Sequence, residues 1–382
     1  MVASACGDQS AASSGSDTTA ATTTTATSTT STTAGTTTTS PSTTTSSTTT
    51  SSTTTTSTTT TSTTSTTEAP VEPLPDPGMR FANLAFDELA RVNPAVTMTV
   101  VRDGQRVLSR ASGSTIDGAA ATSDSPMVVA SVSKLLTALM IARLAESGAL
   151  DVNAPMPWAD MGIPTHPDWA GVTVRELLDH TSGMPVARSS WFDGGIDCGA
   201  FLPTLLDRPP TETRGRWTYS NGNYCALGLL IGHLTSLPLD QAAQSILFDP
   251  IGAGGAHLTT DGQLPTDVGY RLGVERLARL GGAGTFIVST DDITAMLADV
   301  TAADLDVLRF PGLLVDQYGW GHTGSVDSAV ACAWVLEGGR TVVAATVAGR
   351  TPSTGGGVCD RVVPAVAADL GIDLGRPDRS PP

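Results

Sequence analysis

Ala130-Ser131-Val132-Ser133-Lys134-Leu135-Leu136 holds the only lysine of a 382-residue chain whose other basic side chains, out of 21, are all arginine. Guanidinium keeps its proton inside a protein, whereas a desolvated ammonium can release one, so Lys134 stands where arginine would fail as a base. Three residues upstream, Ser131 is a hydroxyl that needs such a partner to become a nucleophile. The bland alternative is a stray surface lysine, because Ser-x-x-Lys is short and often accidental. The residues that follow argue against it. Leu135, Leu136, Leu139, Met140, Ala142 and Leu144 make a helix over Ser131–Glu146 apolar on most sides, which predicts a buried core helix with Gly148 near its end. Positions i and i+3 share a helix face, so Ser131 and Lys134 can touch. A serine at the first turn also has free N–H groups and the positive end of the helix beside it, which favours an oxyanion.

Around that helix the pattern splits into two sheet-forming parts. Upstream, Phe81, Leu84, Ala85 and Leu89 fall at helical spacing before Asn93-Pro94. Two strands, Ala95–Val101 and Gln105–Ser109, then flank an Asp103-Gly104 turn. Downstream, Gln317–Val326, Ser328–Leu336 and Thr341–Val347 are β-rich, the last two joined at Glu337-Gly338-Gly339, and Asp360–Leu370 is an apolar helix. Between them, Asp151 to about Pro311 carries loops, short helices and many Pro and Gly without strong strand signals. Two strands before a long helical stretch and three after it predict an α/β (α+β) fold. Its expected form is an antiparallel five-stranded sheet flanked by helices, with an inserted all-helical subdomain.

The first 77 residues are of another kind. Thr18–Thr67 contains only Thr, Ser and Ala apart from Gly35 and Pro41, so it cannot bury an apolar face and is expected to be disordered. Such a tract suits an O-glycosylated stalk, and Glu68–Pro77 continues it as a stiffer Pro-rich spacer. A flexible chain of about 60 residues averages roughly 40 Å end to end. The expected division is therefore 1–77 stalk, 78–376 globular domain and 377–382 tail. A formal charge of −16 argues against nucleic acid and anionic membrane surfaces. The five histidines are scattered and there is no paired-Cys ligand spacing, so a metal site is not expected.

Five cysteines, Cys6, Cys198, Cys225, Cys332 and Cys359, leave one over in an exported chain. Val2-Ala3-Ser4-Ala5-Cys6-Gly7 resembles the end of a bacterial lipoprotein signal peptide, with Ala3 where leucine is usual. That implies a lipidated Cys6 and a chain held at the outer face of a bacterial cytoplasmic membrane, with only the anchor touching the membrane. The remaining four suit two disulfides. Proximity in sequence suggests Cys198–Cys225 and Cys332–Cys359, one of the three connectivities open to four cysteines.

Two further runs carry polar groups. Trp217-Thr218-Tyr219-Ser220-Asn221-Gly222 offers Tyr219 and Asn221, and Gly319-Trp320-Gly321-His322-Thr323-Gly324-Ser325 sets a polar triplet in a glycine-rich strand. Glycine weakens a strand, so its presence there implies that something approaches the backbone closely. In the order Ser-x-x-Lys, Tyr-x-Asn, His-Thr-Gly, these runs resemble the penicillin-recognising serine hydrolases: class C β-lactamases, D-Ala-D-Ala carboxypeptidases and related esterases. Leu177-Leu178-Asp179-His180-Thr181-Ser182-Gly183-Met184-Pro185, Gly281–Gly284 and Ser289-Thr290-Asp291-Asp292 are similar to the family's intervening segments.

The resemblance implies that Ser131 is acylated and that Lys134 and Tyr219 shuttle its proton. Tyr219 would be the base for the deacylating water, and Asn221 would bond the substrate amide and Lys134. The N–H groups of Ser131 and Ser325 would form the oxyanion hole, with His322, Thr323 and Gly324 lining the docking strand and Thr323 turned toward the substrate's carboxylate or leaving group. The implied substrate class is a small peptide, β-lactam or ester, and the resemblance implies neither a metal nor a cofactor. Histidine is largely neutral at pH 7, and His322 stands where most β-lactamases carry lysine. That favours a monomeric carboxypeptidase on cell-wall peptides over an efficient β-lactamase, with an esterase or a non-catalytic penicillin-binding protein as alternatives.

Overall fold

The computed structural model describes residues 78–186, 195–271, 274–308, 314–315, 319–349 and 356–374. The expected stalk, Cys6 and the tail lie outside these residues.

Helix α1 (Arg80–Val92) opens the fold, and the N–H groups of Phe81 and Ala82 donate to the Asp369 carboxylate at 3.0 and 2.8 Å, an acid at the positive end of a helix. Its buried stripe is Ala82, Phe86 and Leu89, whereas Phe81 and Leu84 are about half exposed (48% and 51%). Of the expected set, Ala85 and Leu89 are buried, and Ala82 and Phe86 take the place of Phe81 and Leu84. Strands β1 (Ala95–Arg102) and β2 (Gln105–Ser112) form the expected hairpin, with Asp103 at φ 49° and Gly104 at φ 75° in the left-handed conformations that a two-residue turn requires. Strand β3 (Met127–Val128) leads into helix α2 (Val132–Glu146), which is buried without interruption from Val132 to Ala142, as its all-round apolar pattern predicts.

The insert contributes α3 (Val174–Leu178), α4 (Cys198–Leu206) and α5 (Asn221–Thr235), and then β4 (His257–Leu258) and β5 (Phe286–Val288). After the helix Thr290–Ala298 come β6 (Leu314–Val315), β7 (Gly319–Val326), β8 (Ala329–Leu336) and β9 (Thr341–Ala348). The helix Gly356–Leu370 follows. The main sheet runs β2-β1-β9-β8-β7-β6, antiparallel throughout: the five expected strands plus the two-residue β6 at one edge. Register joins the halves of the chain, from Ala95 opposite Ala348 to Arg102 opposite Thr341.

One sheet face packs Val96, Met98, Cys332, Trp334 and Val347 against α1 and the last helix. The other packs Ala331, Ala333, Val335 and Ala344 into the larger core around α2. The insert is not all helical. A small sheet, β3-β5-β4, crosses it, and its two- and three-residue strands are too short for any periodicity to announce.

Both disulfides suggested by proximity form. Cys198–Cys225 ties α4 to α5, and Cys332–Cys359 ties β8 to the last helix, with Cα separations of 5.3 and 5.2 Å. Each closes a loop of 27 residues, for which chain entropy gives about 3.5 kcal/mol of stabilisation.

Candidate active site

Ser131 sits at a sharp turn between β3 and α2. β3 is pinned to β5 (Met127 opposite Val288, Val128 opposite Ile287), and Ala130 takes φ 49°, unusual for a side chain with a Cβ. Such backbone strain costs on the order of 1 kcal/mol and concentrates at functional sites. Ser131 is the N-cap of α2, yet its side chain caps nothing. An N-cap serine ordinarily spends its oxygen on the helix N–H groups. Here Oγ receives Lys134 Nζ at 3.2 Å and the Tyr219 hydroxyl at 3.1 Å.

Lys134 is fully buried, and its Nζ also donates to the Ala283 carbonyl at 2.8 Å. The ammonium lies 5.1 Å from the Tyr219 ring centroid and 5.8 Å from that of Tyr224, within cation–π range. The Gly281–Gly284 run supplies this carbonyl because it presses onto α2 and α5. Thr137 Oγ1 donates to Gly282 O at 2.7 Å, and a Cβ on Gly282 would lie 2.7 Å from Tyr224 O. Nearby, Phe286 N–H donates to Ser133 Oγ at 3.1 Å, fixing β5 to the same helix.

Tyr219 immediately precedes Ser220, whose hydroxyl caps α5 by accepting Gly222 N–H, so a helix start aims the tyrosine. Asn221 is the first residue of α5 and half-buried. On β7, His322 is opposite Ala333 and Gly324 opposite Ala331, the face toward α2. Thr323 and Ser325 leave from the other face, Thr323 buried and Ser325 exposed. The close approach expected of the glycine-rich strand is at Gly324. A Cβ there would sit 2.2 Å from Val129 O and 3.1 Å from Ser131 N.

His322 is buried, and its Nδ1 donates to the Thr323 carbonyl at 2.5 Å. Burial, and then the charge of Lys134, push its pKa down to about 3, so the imidazole is neutral at any physiological pH. His180, inside the Leu177–Pro185 run, has no role that the sequence pattern alone reveals. His180 is buried against Tyr219, with ring centroids 4.6 Å apart. Trp217 adds an exposed aromatic edge 6.4 Å from the Tyr219 ring.

The family model described as Beta-lactamase matches residues 81–368, three quarters of the chain. The chain belongs to the Beta-lactamase family. The family consists of serine hydrolases acting on peptide, β-lactam and amide substrates. Within it, the chain is 26% identical over 210 residues to the Bacillus subtilis (strain 168) protein named as penicillin-binding protein PbpX, covering 52% of each. It is 29% identical over 225 residues to a D-aminopeptidase of Brucella anthropi, covering 53% of this chain and 41% of that one. The chain therefore spans about half, or less, of the length of these curated relatives. Among solved structures, the D-amino acid amidase of Ochrobactrum anthropi SV3 superposes with a TM-score of 0.62 at 21% identity, over 75% of this chain and 99% of the amidase. At that identity the likeness shows the β-lactamase/transpeptidase fold alone.

Proposed function

We propose that this β-lactamase-family domain is a serine acyl hydrolase working through an acyl-enzyme on Ser131. The observation that carries the reading is the convergence of Lys134 Nζ and Tyr219 OH on one serine oxygen that caps no helix. In this reading Ser131 Oγ attacks the substrate carbonyl while its proton passes to the Tyr219–Lys134 pair. The same proton then goes to the departing amine or alcohol. Water, deprotonated by Tyr219, releases the acid and restores Ser131. The Ser131 N–H at the positive end of α2, with the β7 backbone beside Gly324, supports an oxyanion site that includes Ser325 N–H. Asn221, at the start of α5, is placed in the role of binding the acyl-side amide.

For the substrate we propose peptides ending in D-Ala-D-Ala, in keeping with the penicillin-binding name of one relative. Neutral, buried His322 supports a second reading, a D-amino-acid amide or N-terminal peptide substrate, because it offers no cation to a C-terminal carboxylate. The names of the D-aminopeptidase and the amidase point the same way. Two disulfides suit an oxidising compartment, which supports export, with lipidated Cys6 as the anchor.

A turnover panel of D-Ala-D-Ala peptide, D-alaninamide, cephalosporin and short-chain nitrophenyl ester, with fluorescent-penicillin labelling, tests the reading. Turnover or labelling that survives Ser131→Ala overturns the acyl-enzyme. Amide turnover without peptide turnover selects the second substrate.

A further inference from the structure

His180 holds the chain on both sides of Tyr219. Its main-chain oxygen accepts the N–H of Thr218 at 2.8 Å, and its Nδ1 accepts the N–H of Ser220 at 3.2 Å. Between those anchors the imidazole lies against the phenol ring, tilted by 43°. A φ of 57° at His180 lets the carbonyl and the ring both face the 218–220 segment.

The surrounding network sets the tautomer. Met184 N–H donates to Ser182 Oγ at 3.2 Å, and Ser182 donates to Asn223 Oδ1 at 2.6 Å. Asn223 therefore turns its amide nitrogen to His180 Nδ1, 2.8 Å away. A ring nitrogen that receives two N–H groups carries no hydrogen, so the proton is on Nε2. That nitrogen is buried with no hydrogen-bond partner among the described residues, a cost that a phenyl ring would avoid. What imidazole supplies here, and phenyl cannot, is the Nδ1 acceptor.

We propose that His180 is a positioning residue for acyl transfer, locking the Tyr219 hydroxyl onto Ser131 by fastening the residues on either side of the tyrosine and seating its ring. This rests on the reading above, in which Tyr219 exchanges the Ser131 proton. Burial, and then the charge of Lys134, hold the imidazole neutral, in keeping with an Nδ1 that only accepts.

Three variants of the full chain separate positioning from mere packing. His180→Asn puts an acceptor where Nδ1 lies, and asparagine tolerates positive φ. His180→Gln reaches toward the Nε2 position instead, and His180→Phe keeps the ring without the acceptor. Rates of labelling by fluorescent penicillin, kcat and KM for a nitrophenyl ester, and Tm are measured for each. His180→Asn is expected to stay within about tenfold of wild type, while His180→Gln and His180→Phe lose about 100-fold in acylation rate and kcat, with KM little changed. A wild-type rate in His180→Phe, a loss confined to KM, or equal losses in all three that track Tm overturns the proposal. Should His180→Phe not fold, the Asn–Gln comparison decides alone. Ser131→Ala is run in parallel, and its full activity would sink the acyl-enzyme reading whatever the His180 variants do.

Discussion

Gly324 lies so close to Val129 that a Cβ on it would stand 2.2 Å from the Val129 carbonyl oxygen. That oxygen belongs to the turn that presents Ser131, so β7 and the nucleophile are in backbone contact. Gly324→Ala must push the strand off the turn, because no flexible side chain is there to yield. The expected outcome is acylation slowed about 100-fold, as for a reacting group misplaced by an ångström. Overpacking should also cost about 1–3 kcal/mol of stability, read by urea denaturation.

Lys134→Arg preserves charge and removes the ability to give up a proton. Its acylation rate is expected to fall nearly as far as that of Lys134→Ala, by about 100-fold or more. Near wild-type labelling in the arginine variant would contradict a base role for Lys134.

His257 on β4 donates through Nδ1 to Gly255 O at 2.9 Å, and its Nε2 lies 3.1 Å from the Asp267 carboxylate, an ion-pair distance that favours the imidazolium. Burial opposes the charge, but the Asp267 hydrogen bond, the Gly255 carbonyl and the charges of Asp267 and Asp261 raise the pKa overall. The sign follows from linkage. The stabilisation is complete below about pH 6.5 and is lost as pH rises through the raised folded value. Asp267→Asn should cost about 3 kcal/mol on the acid side. The gap in Tm to wild type should then shrink toward alkaline pH.

Asp179, at the end of α3, titrates at about 7, raised first by burial and then by Glu176, with Arg175 pulling the other way. Its native form holds a proton that the unfolded chain releases near pH 4, so its contribution to stability falls between about pH 4 and 7. Asp179→Asn should match wild type at the acid end of that window and exceed its Tm at and above neutrality. A parallel pair of Tm–pH curves would contradict the assignment.

Ser131, Lys134 and the main sheet were legible because their signals are local: one i, i+3 pair, an unbroken apolar helix, and turns with the residues that turns need. On α1, Ala85 and Leu89 were legible, but Phe81 and Leu84 look like core residues while the small Ala82 is what fits beneath. The β3-β5-β4 sheet escaped because strands of two or three residues leave no period, and they are defined only by partners far along the chain. His180 carried a signal, the Leu177–Pro185 run, but no role could be read from it. Its work is done through a carbonyl and one ring nitrogen on a segment that only the fold brings near.

The pairing of β1 with β9 bears on how the molecule is made. The hairpin of β1 and β2 is local in sequence, but the strand that covers the free edge of β1 lies beyond the whole insert. Until Thr341–Ala348 arrives, that edge stays open to other chains, and the sheet beneath the nucleophile has no middle. Long-range closure of this kind is slow, so the sheet beside the nucleophile closes late in folding. Ser131 thereby gains the support of β7 only after strands from both sides of the insert have met.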